Sequence, residues 1–278
     1  MPETPQRNVI VSGSFDDIRS QTIRFLEEAS HLGDLTVLLW SDQAIQAQHG
    51  ELPKFPLEER LYLLNAIRYV SQVIVAPARG DQDELPLAAM PPHACWAVLE
   101  TESNPRKQAY CRSIGIDYQV IHQADLRGFP PVAIDDLGKD PPRPKVVVTG
   151  CYDWFHSGHV RFFEEVAELG QLYVIVGNDI NVRFLKGEGH PFFPQDKRRY
   201  MVQSIRFVHQ CLITSGMGWM DAEPEIALVK PELYAVNEDG DKPEKHAFCQ
   251  EHGIRYVVLK RKPKPGLPRR QSTDLRGF

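Results

Sequence analysis

Two histidines three positions apart, His156 and His159, with Gly158 between them and Gly150 a short distance upstream, are the residues of this chain best suited to chemistry on phosphate. Two imidazoles at that spacing lie on one face of a helical turn, where both can donate hydrogen bonds to one phosphate group as charge builds on it. A helix N-terminus adds free N–H groups and the positive end of the macrodipole, and glycine lacks the Cβ that would hold a phosphate away. The natural guest is a nucleotide phosphate. The flanking pattern supplies the frame: the apolar run Val146 to Val148 ends at Thr149-Gly150, and an amphipathic run begins near Gly158, which reads as strand, loop and helix.

The stretch G-C-Y-D-x-x-H-S-G-H from Gly150 to His159 resembles the G-x-F-D-x-x-H-x-G-H signature of the cytidylyltransferase-like nucleotidyltransferases, with Tyr152 where the family usually has Phe. The resemblance implies nucleotide contacts at Thr149, Gly150, Cys151, Tyr152, Asp153 and Gly158, and catalytic roles for His156 and His159. It also implies a cation near the phosphates at Lys186, in the Lys-Gly that follows the second strand; the alternative for Lys186 is a solvated loop lysine. Arg198 stands where relatives place an arginine for the acceptor's phosphate, a bidentate task for a guanidinium, with carboxylate pairing as the rival role. Asn237 and Glu238, at the end of the fourth strand, are candidates for base and acceptor contacts respectively. Ser272 and Thr273 resemble the family's Ser-Thr pair that holds the β and γ phosphates, and the basic stretch Lys260 to Arg270 precedes them.

The first half of the chain repeats the second. Val9 to Leu35 matches Val146 to Leu172 without a gap, the segment from Phe55 matches that from Phe193, the segment from Ala109 matches that from Ala247, and Asp125 to Phe129 recurs as Asp274 to Phe278. A repeat this long is a duplicated domain and not a solenoid. The expected organisation is a first domain over 1–130, a Pro-rich linker over 131–144 and a second domain over 145–278. In the first copy Arg19, Gln21 and Thr22 replace His156, Gly158 and His159, His49-Gly50 stands for Lys186-Gly187, and Gln123-Ala124 for Ser272-Thr273, so the fold is kept and the site is lost; Arg60 and Glu100 still match Arg198 and Glu238.

Short Val/Ile-rich runs alternate with longer helical patterns. In the second half, strands are expected over 145–149, 172–176, 211–214, 233–236 and 256–259, and helices near 158–169, 195–205, 222–229 and 243–252, with Asn178 and Asp179 shaping a loop. The fold class is therefore α/β: two tandem Rossmann-like domains, each a parallel sheet with helices on both faces, with ligands beyond the C-terminal strand ends.

Composition bounds the rest. The 278 residues are 42% hydrophobic and 25% charged, with a formal net charge of −5, which disfavours a general nucleic-acid partner. No run of about eighteen apolar residues is present to span a membrane, and the opening residues lack a signal-type apolar stretch, so a cytoplasmic protein is expected. The five cysteines are widely spaced without a C-x-x-C pair, which points to reduced thiols and to no zinc site; no protein metal ligands are assigned.

The expected reaction is transfer of a nucleoside monophosphate from a nucleoside triphosphate, carried with Mg²⁺, to a small phospho-alcohol or sugar phosphate, releasing pyrophosphate. CTP is the favoured donor because the tandem arrangement resembles ethanolamine-phosphate cytidylyltransferases. The alternatives are an adenylyltransferase of heptose-phosphate or flavin type, since N-D-I-N-V-R-F-L-K-G reads like the heptose branch, and a non-catalytic nucleotide-binding regulator. The first copy is expected to cover the face that a second subunit covers in single-domain relatives, giving a monomeric pseudo-dimer.

Overall fold

The computed structural model describes residues 7–76, 81–86, 94–131 and 142–275, without the side chains of Thr273 and Asp274. Most of the expected linker and the final repeat residues 276–278 lie outside the described residues. The chain divides into two compact units, Met1–Gly128 and Phe129–Phe278. Phe129 and Pro130 thus go with the second unit, where the Phe129 ring stacks on Tyr200 with centroids 4.7 Å apart.

In the first unit the strands are β1 (Asn8–Gly13), β2 (Asp34–Leu39), β3 (Gln72–Val75), β4 (Ala94–Leu99) and β5 (Asp117–Ile121), with helices α1 (Ser20–Ser30), α2 (Asp42–His49), α3 (Leu57–Ala66) and α4 (Pro105–Ile114). The second unit has β6 (Lys145–Gly150), α5 (Ser157–Leu169), β7 (Gln171–Val176), α6 (Asp179–Lys186), α7 (Gln195–Gln203), β8 (Val208–Ile213), α8 (Glu223–Val229), β9 (Leu233–Asn237), α9 (Pro243–Glu251) and β10 (Arg255–Leu259). Both sheets are parallel, ordered β3-β2-β1-β4-β5 and β8-β7-β6-β9-β10. The strand order is the same in each unit.

The continuous apolar strands follow from burial on both sheet faces: Val146, Val147 and Val148 of β6 are fully buried, as are Val174, Ile175 and Val176 of β7. β6 pairs with β7 on one side and β9 on the other, so the chain reverses direction across the sheet at β6. The crevice beyond that reversal is where open α/β sheets take ligands. α5 starts there and buries Val160, Phe162, Phe163 and Val166 against the sheet; complete burial of one such side chain contributes about 2 kcal/mol.

α6 replaces the expected loop. Its Asn178 caps the helix by accepting from the Asn181 N–H at 2.8 Å, Asp179 stands in its first turn, and Arg183 and Lys186 stand in its last. Ile180 and Phe184 point to solvent, 71% and 70% exposed, so the helix lacks the buried apolar stripe by which the others are read. Among the described residues no helix is long and apolar enough to cross a membrane.

The join from α5 to β7 is tight. A Cβ at Gly170 would lie 2.1 Å from the Pro144 carbonyl oxygen, which already accepts from the Gln171 N–H at 2.7 Å. Gly170→Ala is expected to cost about 1–3 kcal/mol by overpacking, read by urea denaturation. Gly240→Ala, whose new carbon would meet nothing nearer than 3.9 Å, is the control expected to leave the midpoint in place.

Candidate active site

The loop between β6 and α5 is held in one shape by residues that do not themselves look like chemistry. Tyr152 takes φ +53° and is buried, its ring 5.3 Å from that of Phe163. A Cβ on Gly150 would come within 2.8 Å of the Tyr152 ring. Gly150 is thus required first by the tyrosine, and only then by any phosphate. The Asp153 carboxylate accepts from the Phe192 and Phe193 N–H groups, both at 2.9 Å, which ties the loop to the segment after α6.

Arg198 is 1% exposed and spends its guanidinium inside the protein. Its Nε donates to the Phe193 carbonyl at 2.8 Å, one terminal nitrogen to the Cys151 carbonyl at 2.7 Å, and the other to Gly177 O at 2.8 Å and Asp179 at 2.7 Å. The expectation of a free fork for an acceptor phosphate is corrected accordingly. Arg198 is the strut that joins β6, β7 and α6 below the site, and truncating it would leave Asp179 and three carbonyls short of a donor.

The histidines sit on this frame. His156 caps α5: its Nδ1 accepts from the Gly158 N–H at 3.1 Å, and the His159 Nδ1 accepts from the His156 N–H at 3.3 Å. With Nδ1 of each ring accepting, the neutral imidazoles must carry their protons on Nε2, so each presents one N–H donor. The rings stack with centroids 3.9 Å apart. His156 is 1% exposed and its Nε2 is closed off from water without a protein partner; His159 is half-buried. Gly158 has its own reason here, since a Cβ would lie 2.9 Å from the His156 ring.

Burial first, then the nearby Arg261 and Arg270, push the His156 pKa down to about 3. Burial, then His156, Arg261 and Lys186, hold His159 well below its ordinary value. Both rings are neutral donors at pH 7.

A cleft of about 600 Å³ opens in front of His159. It brings together Thr149, Gly150, Cys151, Tyr152 and Asp153 from the end of β6, Gly158 and His159 from α5, Lys186 from the end of α6, Asn237 from β9, and Ser272. Lys186 therefore reaches the site from a helix terminus and not from a loop. Glu238 and Arg198 are not among its lining residues, and the Thr273 side chain lies outside the described residues. The cleft also contains residues that the sequence reasoning missed: His190, Lys245 and, as an individual residue, Arg261. Arg261 belongs to the basic stretch already singled out; it pairs with Asp239 and donates to the Arg270 carbonyl at 3.0 Å. Lys245, half-buried on α9 with its ammonium 5.6 Å from the Tyr234 ring centre, has its pKa lowered by burial and then by Lys242, and nothing in its spacing marks it.

The first unit keeps the frame and lacks the donors. Asp16 accepts from the Lys54 and Phe55 N–H groups at 2.8 and 2.9 Å, Phe15 takes φ +47°, and the fully buried Arg60 donates to Phe55 O, Ser14 O, Trp40 O and Asp42. Arg19, in place of His156, pairs with Asp17. Trp40 donates its backbone N–H to Gly13 O, as Gly177 does to Gly150 O, and its indole bonds Ser12 at 2.9 Å, so a large ring lies on the strand end that in the second unit opens on the cleft.

Because the folded state holds His156 neutral down to about pH 3 while the unfolded chain protonates it near 6.5, unfolding takes up a proton between those values. Stability contributed by this site is full above pH 6.5 and is lost as pH falls. Melting series from pH 7.5 to 4.5 are expected to show a shallower acid limb for His156→Asn than for the natural protein, with the two curves differing by the uptake of one proton.

The sequence model of the cytidylyltransferase-like family matches residues 147–262, within the second unit. The FAD synthase of Ferroglobus placidus is 33% identical over 119 residues, 42% of this chain and 74% of that one. The FAD synthase of Aciduliprofundum boonei is 31% identical over 121 residues, 42% of this chain and 78% of the relative. The bifunctional protein HldE of a Nitratiruptor species is 33% identical over 96 residues, 34% of this chain but 20% of the relative. With the signature in place on its strand, loop and helix, the chain belongs to the cytidylyltransferase-like family and is a nucleotidyltransferase.

Proposed function

We propose that the second unit transfers the adenylyl group of ATP to the phosphate of a small acceptor and releases pyrophosphate. The observation that carries this reading is the pair of stacked, neutral imidazoles at the head of α5, each with its Nδ1 occupied by a backbone N–H: His159 lines the cleft with its Nε2–H left to donate, and the buried His156 stands behind it. The FAD synthase relatives support the adenylyl alternative over the CTP favoured from the motif, because the product in their name carries an adenylyl group.

An oxygen of the acceptor phosphate forms the new bond to the α-phosphorus, and the bond from that phosphorus to the bridging oxygen of pyrophosphate breaks. The attacking phosphate is already ionised at neutral pH and needs no general base. His159, with His156 behind it, donates to phosphate oxygens as charge shifts toward the leaving group, and Lys186, Lys245 and Arg261 supply positive charge around the cleft. Among the described residues no three His, Cys, Asp or Glu side chains converge as a metal-holding group; Mg²⁺ would enter on the triphosphate and neutralise part of its charge. The first unit serves as a non-catalytic partner, and the whole chain acts as a monomeric pseudo-dimer.

Pyrophosphate release, measured with ATP and CTP in turn against a panel of phosphorylated alcohols, sugars and FMN, tests the reading. His159→Ala is expected to reduce turnover about 100-fold or more with little change in Tm, while Arg19→Ala in the first unit leaves turnover unchanged. Normal turnover in His159→Ala would overturn the mechanism, and release with CTP alone would return the donor to cytidine.

A further inference from the structure

We propose that Trp154, His190 and Phe192 form an aromatic wall that selects an acceptor whose phosphate is attached to a flat aromatic ring system. This rests on the nucleotidyl transfer proposed for the same cleft. Trp154 and His190 line the cleft. The Phe192 ring lies 5.5 Å from each of them and stays 51% exposed, whereas Trp154 is 7% exposed. A phenylalanine left half in water beside a binding cleft offers a face for stacking.

The wall is rigid. The Phe192 N–H is bonded to Asp153, the next residue's N–H is bonded to the same carboxylate, and the Phe193 ring meets Trp154 edge-on at 5.2 Å. A ligand ring docking there meets a backbone that is already fixed.

Comparison of the two units shows that the aromatics are not needed by the fold. Asp16 holds the N–H groups of Lys54 and Phe55 as Asp153 holds those of Phe192 and Phe193. These bonds fix the register, so L-P-K-F-P in the first unit lies on H-P-F-F-P in the second, and Asp17 lies on Trp154. The same loop is thus built with Asp17, Leu52 and Lys54 in the unit that has Arg19 and Thr22 in place of the histidine pair. All three aromatic positions change together with the histidines, which ties them to the site and not to the scaffold.

In-line transfer would leave this side of the cleft for the acceptor. Nucleophile and leaving group stand roughly in line across the phosphorus. Lys245 and Arg261 follow β9 and β10, on one side of β6, and attract the leaving pyrophosphate. His190 and Lys186 come from the β7 side, leaving that side for the acceptor, with Lys186 for its phosphate and the wall for its ring.

The test uses the full chain, with FMN as the flat aromatic phosphate ester and ribose 5-phosphate as the acceptor without a ring. FMN binding is read by quenching of flavin fluorescence, and transfer from ATP by pyrophosphate release. Phe192→Ala and Phe192→Lys are expected to raise the Kd and KM for FMN about tenfold, Phe192→Trp to restore them, and the KM for ATP to stay as it was. Phe192→Lys carries the first unit's own residue and is expected to keep the Tm. FMN binding that ignores both substitutions overturns the wall, as does turnover of ribose 5-phosphate in place of FMN, and a rise in the KM for ATP instead would assign the wall to the nucleobase. If no acceptor releases pyrophosphate, the nucleotidyl reading fails separately, and Phe192-dependent quenching still reports on the wall.

Discussion

Two backbone-to-imidazole hydrogen bonds at the head of α5 hold the site together. A helix N-terminus leaves several N–H groups without partners and usually recruits Ser, Thr, Asp or Asn to satisfy them. Here the cap is His156, and His159 answers by accepting the cap residue's own N–H. The bonds that satisfy the helix end also fix both rings in one tautomer, so stability of the helix start and orientation of the donors are a single property. Gly158 follows from it, since any larger residue would strike the His156 ring. His-Ser-Gly-His is a cap in this structure, and the cap leaves the two imidazoles in the tautomer that the proposed chemistry uses.

The two units separate what builds the loop from what acts in it. Gly13 and Gly150, Phe15 and Tyr152, Asp16 and Asp153, and Arg60 and Arg198 occupy the same places and make the same kinds of bonds in each. A buried arginine feeding several carbonyls cannot be lost without leaving them unsatisfied, so it persists whether or not a substrate binds. The imidazoles make no such contribution to the sheet beneath them and can be replaced by Arg19 and Thr22. Trp40 then takes the space, bonding Ser12, where its counterpart Gly177 leaves the strand end open.

The strands were legible because burial on both faces makes Val-rich runs continuous, and most helices because one apolar stripe faces the sheet. α6 was not, since its large apolar residues face outward and its signals are the Asn178 cap and the basic last turn, which say little unless a helix is already suspected. Of the signature's residues, Thr149 to Asp153, Gly158 and His159 line the cleft, while His156 is buried behind it. The signature said less about Arg198, because a motif position does not reveal where a guanidinium ends; the persistence of Arg60 in the siteless copy was the clue to its structural role. Lys245 and His190 reach the cleft only through the fold, one from a helix after β9 and the other from the segment pinned by Asp153, and no local spacing announces either.

The charge arrangement leaves the cleft incomplete without an anion. Lys186, Lys245 and Arg261 line it, and Asp239 is already paired with Arg261. Burial is the first cause that keeps the two histidines neutral; Arg261 and Arg270 add to it at His156, and His156, Arg261 and Lys186 at His159. A polyphosphate entering the cleft would offset the cationic part of that field and leave the burial in place. The rings are thereby neutral enough to be packed against one another, and each carries its proton on Nε2. Burial and the cations thus act on the same place from two sides: burial fixes the protonation state of the donors, and the cations fix the sign of the ligand that suits the cleft.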